Sequence, residues 1–211
     1  RGELQCPQLG MDVQSWNADG KSVIGESGEL VCASPFPSMP ISFWNDDDGS
    51  NYRSAYFDEF EGVWTHGDYV EITSNGGAII YGRSDTTLNP GGVRIGTAEI
   101  YRSVENMEQI IDAVVVGRPN NGDVDVVLCV KLADGTILDD GLKSDISSQI
   151  RSATTPRHVP DYIFEVDDIP YTISGKKVEK AVLATITGRP VGNKDALANP
   201  EALEQYSALS F

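Results

Sequence analysis

The chain has 211 residues, of which 40% are apolar, and it carries 32 acidic against 16 basic side chains. This length and apolar content suffice for one large domain or two small ones with real cores, so disorder is excluded as the default. The net charge of −16 disfavours nucleic acid and anionic membranes as general partners, because phosphate-rich surfaces would repel the chain. Any anion-binding site is therefore expected to be local.

Cysteines and histidines are few and scattered. Cys6, Cys32 and Cys129 form no C-x-x-C pair, so the sequence predicts neither a disulfide framework nor a zinc site but reduced thiols in a cytoplasmic protein. His66 and His158 lie far apart in sequence, and we expect no metal site. No apolar run is long enough to span a bilayer, so we expect no membrane insertion.

The first third of the chain is rich in turn residues and in short β-prone runs. The runs "DYVEIT" and "AIIYGR" flank "SNGG", whose Asn and Gly tolerate the positive φ of a tight connection, so we predict a hairpin. The aromatic and acidic stretch "FWNDDDGSNYRSAYFDEFEGVW" is expected to be a surface excursion anchored by its rings. Its Asp46-Asp47-Asp48 run lacks the later ligands of an EF-hand and is expected to be a solvated turn.

After Asp85 the pattern changes to a glycine-rich loop, "TTLNPGGVRIG", followed by three helical patterns. The first is expected to begin with Thr97 as its N-cap. Apolar residues recur at helical spacing in each pattern, at Ile100, Val104 and Met107, then at Leu142, Ile146 and Ile150, and finally at Val178, Val182 and Ile186.

Three β-branched runs alternate with these helices. "IIDAVVVGRP" and "DVDVVLCVKL", joined by "NNGD", predict two paired strands, and "DYIFEV" predicts a third. The order predicts an α+β chain, in which a mostly β segment precedes a small α+β domain with helices packed on a short mixed sheet. We place the boundary between residues 84 and 85.

Charged residues stand beside glycines or turns at several points. They are Asp68 in "HGD", Arg83 and Asp85 in "GRSD", Arg94 in "GGVR" and Lys176 in "SGKK". Glycine lets backbone approach a ligand closely, and Arg and Lys supply the charge that phosphate oxygens require. Taken singly, each motif is more typical of a hairpin corner or a surface turn.

In combination these motifs are more specific. The string "GVWTHGDYVEITSNGGAIIYGRSDTTLNPGGVRIGTAEIY", followed downstream by "PYTISGKK", resembles the C-terminal region of the adenylate-forming acyl-CoA synthetases. The stretches "PFPSMPISFWND", "GVRIGTAEIYRSVE" and "ANPEALEQY" are most similar to members that activate acetoacetate, with those that activate acetate as the alternative. The resemblance implies that residues 1–84 form the end of a large adenylation domain and residues 85–211 a small mobile C-terminal domain.

The resemblance also implies roles for individual residues. Asp68 matches the acceptor of hydrogen bonds from the nucleotide ribose, and Arg83 and Arg94 match residues that contact the nucleotide and its phosphates. Asp85 matches the hinge about which the small domain turns between the two half-reactions.

Toward CoA and the acyl group, the resemblance implies three further residues. Gly92 matches a glycine that lines the pantetheine tunnel, and Arg151 matches a residue that meets the 3′-phosphate of CoA. Lys176 matches the catalytic lysine of adenylation, whose ammonium stabilises the acyl carboxylate and the α-phosphate. Lys177 is expected to be an incidental surface charge.

The implied activity is the ATP-dependent ligation of acetoacetate to CoA through an acyl-adenylate, with Mg²⁺ arriving on the nucleotide; acetate or another short-chain acid is the alternative substrate. Nothing in the chain resembles the family's upstream phosphate-binding loop or acyl pocket, so we expect the chain to be inactive alone. A hypothesis of a different class is a non-catalytic β-rich module whose acidic surface binds a basic protein. The net charge is its only support.

Overall fold

A computed structural model describes residues 2–211 and divides the chain into two compact units, one ending at Asp85 and the other beginning at Thr86. This division lies one residue beyond the boundary expected from the sequence. The assignment of the units to a large adenylation domain and a mobile domain stays a prediction. Within the described residues, no helix combines the length and the apolar character needed to cross a membrane.

The first unit is built on a five-stranded antiparallel sheet with the order β2-β1-β3-β4-β5. Its strands are β1 (Val13–Trp16), β2 (Ser22–Val23), β3 (Ser27–Cys32), β4 (Trp64–Ile72) and β5 (Ala78–Arg83). β4 and β5 form the hairpin predicted from "SNGG", which is confirmed. The mostly β character expected for this part of the chain is therefore confirmed as well.

Between β3 and β4 the chain forms a short helix, α1 (Ser50–Tyr56), that the sequence pattern did not predict. The ring of Tyr56 stacks on Trp64 with centroids 3.7 Å apart, so the expected anchoring by aromatic rings does occur. The expectation of a solvated turn at Asp46 is wrong, because its side chain is buried and accepts hydrogen bonds from the backbone N–H groups of Asn51 at 3.0 Å and Tyr52 at 2.8 Å. Asp46 therefore caps the first turn of α1.

The second unit is α+β, as predicted, with a mixed sheet in which β6 and β7 are antiparallel and β7 and β8 are parallel. Asn121 and Gly122 connect β6 to β7 with φ values of 48° and 87°, which is the hairpin chemistry expected from "NNGD". The elements in chain order are α2 (Thr97–Val104), β6 (Ile110–Asn120), β7 (Asp123–Leu132), α3 (Asp140–Ala153), β8 (Tyr162–Glu165) and α4 (Glu179–Ile186).

Helices cover both faces of this sheet. Val115 and Leu128 face the core formed with α2 and α3, whereas Val114 and Val127 face α4 and the 3₁₀ segment Pro200–Ala208. Successive strand residues point to opposite faces, and all four of these side chains are fully buried or nearly so. The sheet is thus the rigid middle layer from which the loops of this unit project.

The helical periodicities predicted the buried faces correctly. Ile146 and Ile150 of α3 and Val182 of α4 are fully buried. The boundaries differ in three places. The N-cap of α2 is Gly96 and Thr97 is its first helical residue, Met107 lies beyond the end of α2, and Val178 is the N-cap of α4. Gly96 N donates to Glu99 Oε2 at 3.1 Å, so the glutamate carboxylate binds the backbone N–H of the N-cap residue.

Candidate functional site

In the first unit, Asp68 and Arg83 lie directly opposite each other at the end of the β4–β5 ladder. Arg83 Nη1 lies 3.4 Å from Asp68 Oδ1 and donates to the carbonyl oxygen of His66 at 3.2 Å. Arg83 Nη2 lies 3.6 Å from Asp85 Oδ2, at the end of the unit. The hairpin therefore brings three of the predicted residues together around one guanidinium.

Gly67 makes room for this guanidinium. Its φ is 80°, and a Cβ built there would lie 2.7 Å from Arg83 Nη2. Its backbone N–H donates to the buried carboxylate of Glu29 at 3.0 Å, which holds the strand in this conformation. The positive φ favours glycine here, and the absence of a Cβ lets the arginine lie close to the backbone.

The Asp68 carboxylate remains accessible between its two partners. Its side chain is 24% exposed and that of Arg83 is 51% exposed. His66 Nε2 lies 3.4 Å from Asp68 Oδ2, from the same face of β4. A partly exposed carboxylate can accept hydrogen bonds from a pair of neighbouring hydroxyls, and an adjacent guanidinium can bind phosphate oxygens. His66 was not among the predicted site residues, although its two-residue spacing from Asp68 places both on one strand face.

Gly92 and Arg94 lie on a closed loop at the start of the second unit. Leu88 and Ile95 pair across its base through two backbone hydrogen bonds of 2.9 Å, and both side chains are buried in the core. Gly92 is exposed with φ 77° and has no heavy atom within 4 Å of a Cβ built on it. Arg94 is exposed two residues further on. The loop thus exposes the backbone of Gly92 and the guanidinium of Arg94, while the Leu88–Ile95 pair holds its base in place.

A contact with the β6–β7 turn fixes the tip of this loop. Gly91 N donates to Asp123 Oδ1 at 2.8 Å. This hydrogen bond, with a second from Val124 N, holds the pKa of the Asp123 carboxyl below its usual value. Arg157 borders the tip, because a Cβ built on Gly91 would lie 2.8 Å from its Nη1. The loop is therefore attached to the sheet at its base and at its tip.

Arg151 occupies the last turn of α3 and is exposed, whereas the preceding Ile150 is fully buried. The helix thus directs this guanidinium to solvent by the same periodicity that buries its apolar face. The residue stands on a different element from Gly92 and Arg94.

Lys176 lies at the end of a tight turn before α4. Thr172 N donates to the Lys176 carbonyl oxygen at 2.8 Å, and Lys176 N donates to Thr172 Oγ1 at 3.0 Å. Gly175, with φ 77°, provides the left-handed residue that closes the turn. The Lys176 side chain is exposed, and in the described part of the chain its ammonium has no carboxylate within ion-pair distance. The turn therefore presents an unpaired positive charge to solvent.

Lys177 is not the surface charge that the sequence suggested. Its side chain is 19% exposed, and its Nζ lies 2.8 Å from Asp112 Oδ1 and 4.4 Å from the centroid of the Tyr101 ring. Lys177 pairs with Tyr171 in an isolated β-bridge, and successive residues in extended backbone point in opposite directions. The two adjacent lysines are consequently separated, with Lys177 turned inward and Lys176 outward.

The structure thus brings some of the predicted residues together and leaves others on separate elements. Arg83 contacts both Asp68 and Asp85, and Gly92 and Arg94 share one loop; Arg151 and Lys176 stand on two other elements of the second unit. Among residues 2–211, no group of three or more His, Cys, Asp or Glu side chains is arranged to hold a metal ion. The roles assigned to the individual residues stay predictions.

Comparison with known proteins finds one matching family model and several similar proteins. Residues 102–176 match the family described as AMP-binding enzyme C-terminal domain. The chain is 57% identical over 209 residues to acetoacetyl-coenzyme A synthetase of Rhizobium meliloti (strain 1021), covering 99% of this chain and 32% of the relative. It is 50% identical over 208 residues to acetoacetyl-CoA synthetase of Xenopus tropicalis, covering 98% of this chain and 31% of that relative.

A solved structure agrees with these sequence relatives. The acetoacetyl-CoA synthetase from Streptomyces lividans matches with a TM-score of 0.92 and 45% identity, over 98% of this chain and 31% of that one. The chain spans about a third of the length of the curated relatives it matches. Residues 102–176 thus match the C-terminal domain of AMP-binding enzymes, and nearly the whole chain is homologous to about a third of the acetoacetyl-CoA synthetases.

Proposed function

We propose that this chain is part of an ATP-dependent acid–thiol ligase that converts acetoacetate, ATP and CoA to acetoacetyl-CoA, AMP and diphosphate. One observation carries the proposal. The chain is 57% identical to an acetoacetyl-coenzyme A synthetase and presents, at the position that resembles the catalytic lysine of the family, an exposed ammonium that has no carboxylate partner among residues 2–211. An acidic neighbour would neutralise the charge that such a reaction needs.

The first half-reaction forms acetoacetyl-adenylate. An oxygen of the acetoacetate carboxylate attacks the α-phosphorus of ATP, and the bond from that phosphorus to the bridging oxygen breaks, so that diphosphate leaves. Negative charge concentrates on the α-phosphate oxygens and on the attacking carboxylate. The Lys176 ammonium stabilises both, since a fixed positive charge in a partly desolvated site lowers the barrier to such a transfer.

The second half-reaction transfers the acyl group to CoA. The sulfur of CoA attacks the acyl carbon, the thiol proton is lost, and AMP leaves with the bonding electrons of the acyl–phosphate oxygen bond. In this step Gly92 leaves space for the pantetheine arm, because it adds no side chain to the loop. Arg151 binds the 3′-phosphate of CoA through its exposed guanidinium.

Asp68, Arg83 and Arg94 bind the nucleotide in this proposal. The partly exposed Asp68 carboxylate accepts hydrogen bonds from the two ribose hydroxyls, and the Arg83 guanidinium, held beside it, lies next to the ribose and phosphates. Arg94 binds phosphate from the glycine loop. Asp85, the last residue of the first compact unit, is the hinge at which the backbone turns between the half-reactions.

Mg²⁺ enters with the nucleotide in this proposal. The phosphate oxygens of ATP would supply ligands of the kind that Mg²⁺ prefers. The expected cytoplasmic location remains a prediction from the scattered cysteines.

We further propose that the chain works only within a protein of the length of its relatives, called the full-length protein below. It spans about a third of those relatives, and it contains no stretch that resembles the family's phosphate-binding loop. The purified 211-residue chain should therefore release no diphosphate from ATP, whatever acid is supplied. Acid-dependent release that disappears in Lys176→Ala would contradict this expectation.

The substrate is tested by assaying CoA-thioester formation in the full-length protein with acetoacetate, acetate and butyrate. We expect the highest kcat/KM with acetoacetate. A preference for acetate would overturn the choice of acid while leaving the ligase chemistry in place. Absence of AMP formation with every short-chain acid would overturn the ligase itself.

A further inference from the structure

A cluster of polar side chains lies beneath the turn that carries Lys176. Its members are Tyr101 from α2, Asp112 from β6, Tyr171 and Lys177 from the two sides of the turn, and Glu179 from the start of α4. We call it the Asp112 cluster. Asp112 and Lys177 are each only 19% exposed, so these charges are largely removed from water and depend on one another.

One carboxylate holds both sides of the base of the turn. Asp112 Oδ1 lies 2.8 Å from Lys177 Nζ, and Asp112 Oδ2 accepts a hydrogen bond from the Tyr171 hydroxyl at 2.5 Å. Tyr171 and Lys177 are themselves partners in the β-bridge that closes the turn. A register shift between Ile110 and Asp112 interrupts the β6 ladder at this point, and such irregularities re-aim side chains.

Tyr101 completes the enclosure of the Lys177 ammonium. Lys177 Nζ lies 4.4 Å from the centroid of its ring, a distance at which the ring attracts a cation. The Tyr101 hydroxyl donates to Glu179 Oε1 at 3.0 Å and accepts from Val115 N at 3.2 Å. Burial, reinforced by the Glu179 charge, raises the pKa of this hydroxyl well above its ordinary value, so it stays a neutral donor. The ammonium is thus held between the Asp112 carboxylate and a fixed aromatic face, with Glu105 Oε1 4.0 Å away as a second, more exposed carboxylate.

The rest of the turn is held mainly by backbone contacts. Ile173 N donates to the carbonyl oxygen of Ala196 at 3.0 Å, and Ala198 N donates to that of Tyr171 at 2.8 Å. These bonds fix the first side of the turn. On the second side, where the backbone continues from Lys176 into α4, the side-chain anchor is Lys177.

We propose that Lys177 is the positioning residue for Lys176. Its ammonium, held between Asp112 and the Tyr101 ring, fixes the second side of the turn and so directs the neighbouring Lys176 side chain outward. Lys177 touches no substrate in this account. The inference rests on the proposed role of Lys176 in adenylation, but its structural part can be measured separately.

The test uses the full-length protein with Lys177→Met, which keeps the length of the side chain and removes its charge. Lys177→Arg keeps the charge, and Lys194→Met changes an exposed lysine on another turn as the matched control. Two quantities are measured in each variant, namely the hydrogen exchange of the backbone amides of residues 172–177 and the kinetics of acetoacetate-dependent exchange of diphosphate into ATP.

We expect Lys177→Met to speed amide exchange in this segment about tenfold, because the second side of the turn opens more often. The kcat of diphosphate exchange should fall by about 10- to 100-fold with little change in the KM values, since misplacement of a reacting group mainly affects the chemical step. Lys177→Arg should restore most of both properties, and Lys194→Met should behave as the parent.

Unchanged amide exchange in Lys177→Met would overturn the inference, and so would a loss of kcat without faster amide exchange. If Lys177→Met fails to fold, Asp112→Asn provides the second variant, and it should change both quantities in the same direction. A Lys176→Ala protein with parental activity would overturn the proposed function. The amide exchange of the Lys177 variants would still decide whether Lys177 holds the turn.

Discussion

Asp68 and Arg83 face each other across the β4–β5 ladder, and the guanidinium lies where a Cβ at residue 67 would come within 2.7 Å of it. The backbone conformation at Gly67 thus affects the position of Arg83, which is proposed to contact the nucleotide. Substituting Gly67 by alanine adds one methyl group at this position and so tests the relationship.

Gly67→Ala should lower both stability and affinity for AMP. A Cβ at Gly67 would lie 2.7 Å from Arg83 Nη2 at a φ of 80°, so the residue is strained and the guanidinium must move. Strain of this kind costs about 1–3 kcal/mol. Urea unfolding of the variant should show a loss of that order, and titration of the full-length protein with AMP should show weaker binding.

Gly76→Ala is the matched control, because Gly76 has the same φ of 80° but no heavy atom within 4 Å of the added Cβ. It should lose stability through the backbone alone and bind AMP as the parent does. Equal effects of the two substitutions on AMP binding would show that the guanidinium position is irrelevant to the nucleotide.

Asp46→Ala should loosen the aromatic cluster around α1. The substitution leaves the N–H groups of Asn51 and Tyr52 without their acceptor, and the loss of such a cap costs about 1–2 kcal/mol. Near-ultraviolet circular dichroism should report the weakened stacking of Tyr56 on Trp64. Asp47→Ala, at the exposed neighbouring position, should leave the spectrum unchanged, and an equal effect of both variants would argue against the cap.

The three cysteines should differ sharply in reactivity. Cys6 is exposed, whereas Cys32 and Cys129 are buried, and burial raises the pKa of the Cys129 thiol to about 12. A thiol reagent at pH 8 should therefore modify one cysteine in the folded chain and all three after denaturation, because the thiolate is the reactive form. Rapid modification of Cys129 in the folded chain would contradict the packing described for β7.

The second unit should lose stability in mild acid through Glu99. Burial alone would raise the pKa of this carboxyl, but the His158 ring, whose Nε2 lies 3.3 Å from Glu99 Oε2, and the hydrogen bond from Gly96 N outweigh it and hold the pKa below its usual value. A lowered folded-state pKa contributes stability that is present above about pH 4.3, the ordinary value for glutamate, and is lost as pH falls through the folded pKa. The urea midpoint should accordingly decrease below about pH 5.

Glu99→Gln should make that decrease shallower, since the variant has no carboxyl to protonate at this position. Glu108→Gln, at an exposed position after α2, is the control and should follow the parent more closely. The same pH dependence in parent and Glu99→Gln would assign the acid sensitivity to other groups.

Local sequence signals predicted most of the regular structure. The Asn-Gly connections specified both hairpins, because their positive φ values are available to few residues. Apolar spacing predicted the buried faces of α3 and α4, because apolar residues at helical spacing form the stripe that packs against the sheet and stabilises each helix. These features depend on residues close together in sequence.

The features that the sequence did not predict depend on distant partners. Helix α1 has only seven residues and no buried face of its own, so Asp46 and the ring of Trp64 specify it rather than periodicity. Lys177 looked like a surface charge because its partner, Asp112, belongs to another strand and is aimed by an irregularity in that strand. A contact between two residues so far apart in sequence, such as Lys177 and Asp112, produces no local sequence pattern that could predict it.

The most direct test of the account is the rate of acetoacetate-dependent diphosphate exchange into ATP in the full-length protein carrying Lys176→Ala, with Lys194→Ala as control. Loss of a fixed charge at the reacting centre should lower the rate by about 100-fold or more. The control should exchange at the parental rate, and both variants should unfold at the parental urea concentration, because both lysines are exposed. A Lys176→Ala protein that exchanges diphosphate within about twofold of the parent would contradict the assignment of Lys176 to the adenylation step.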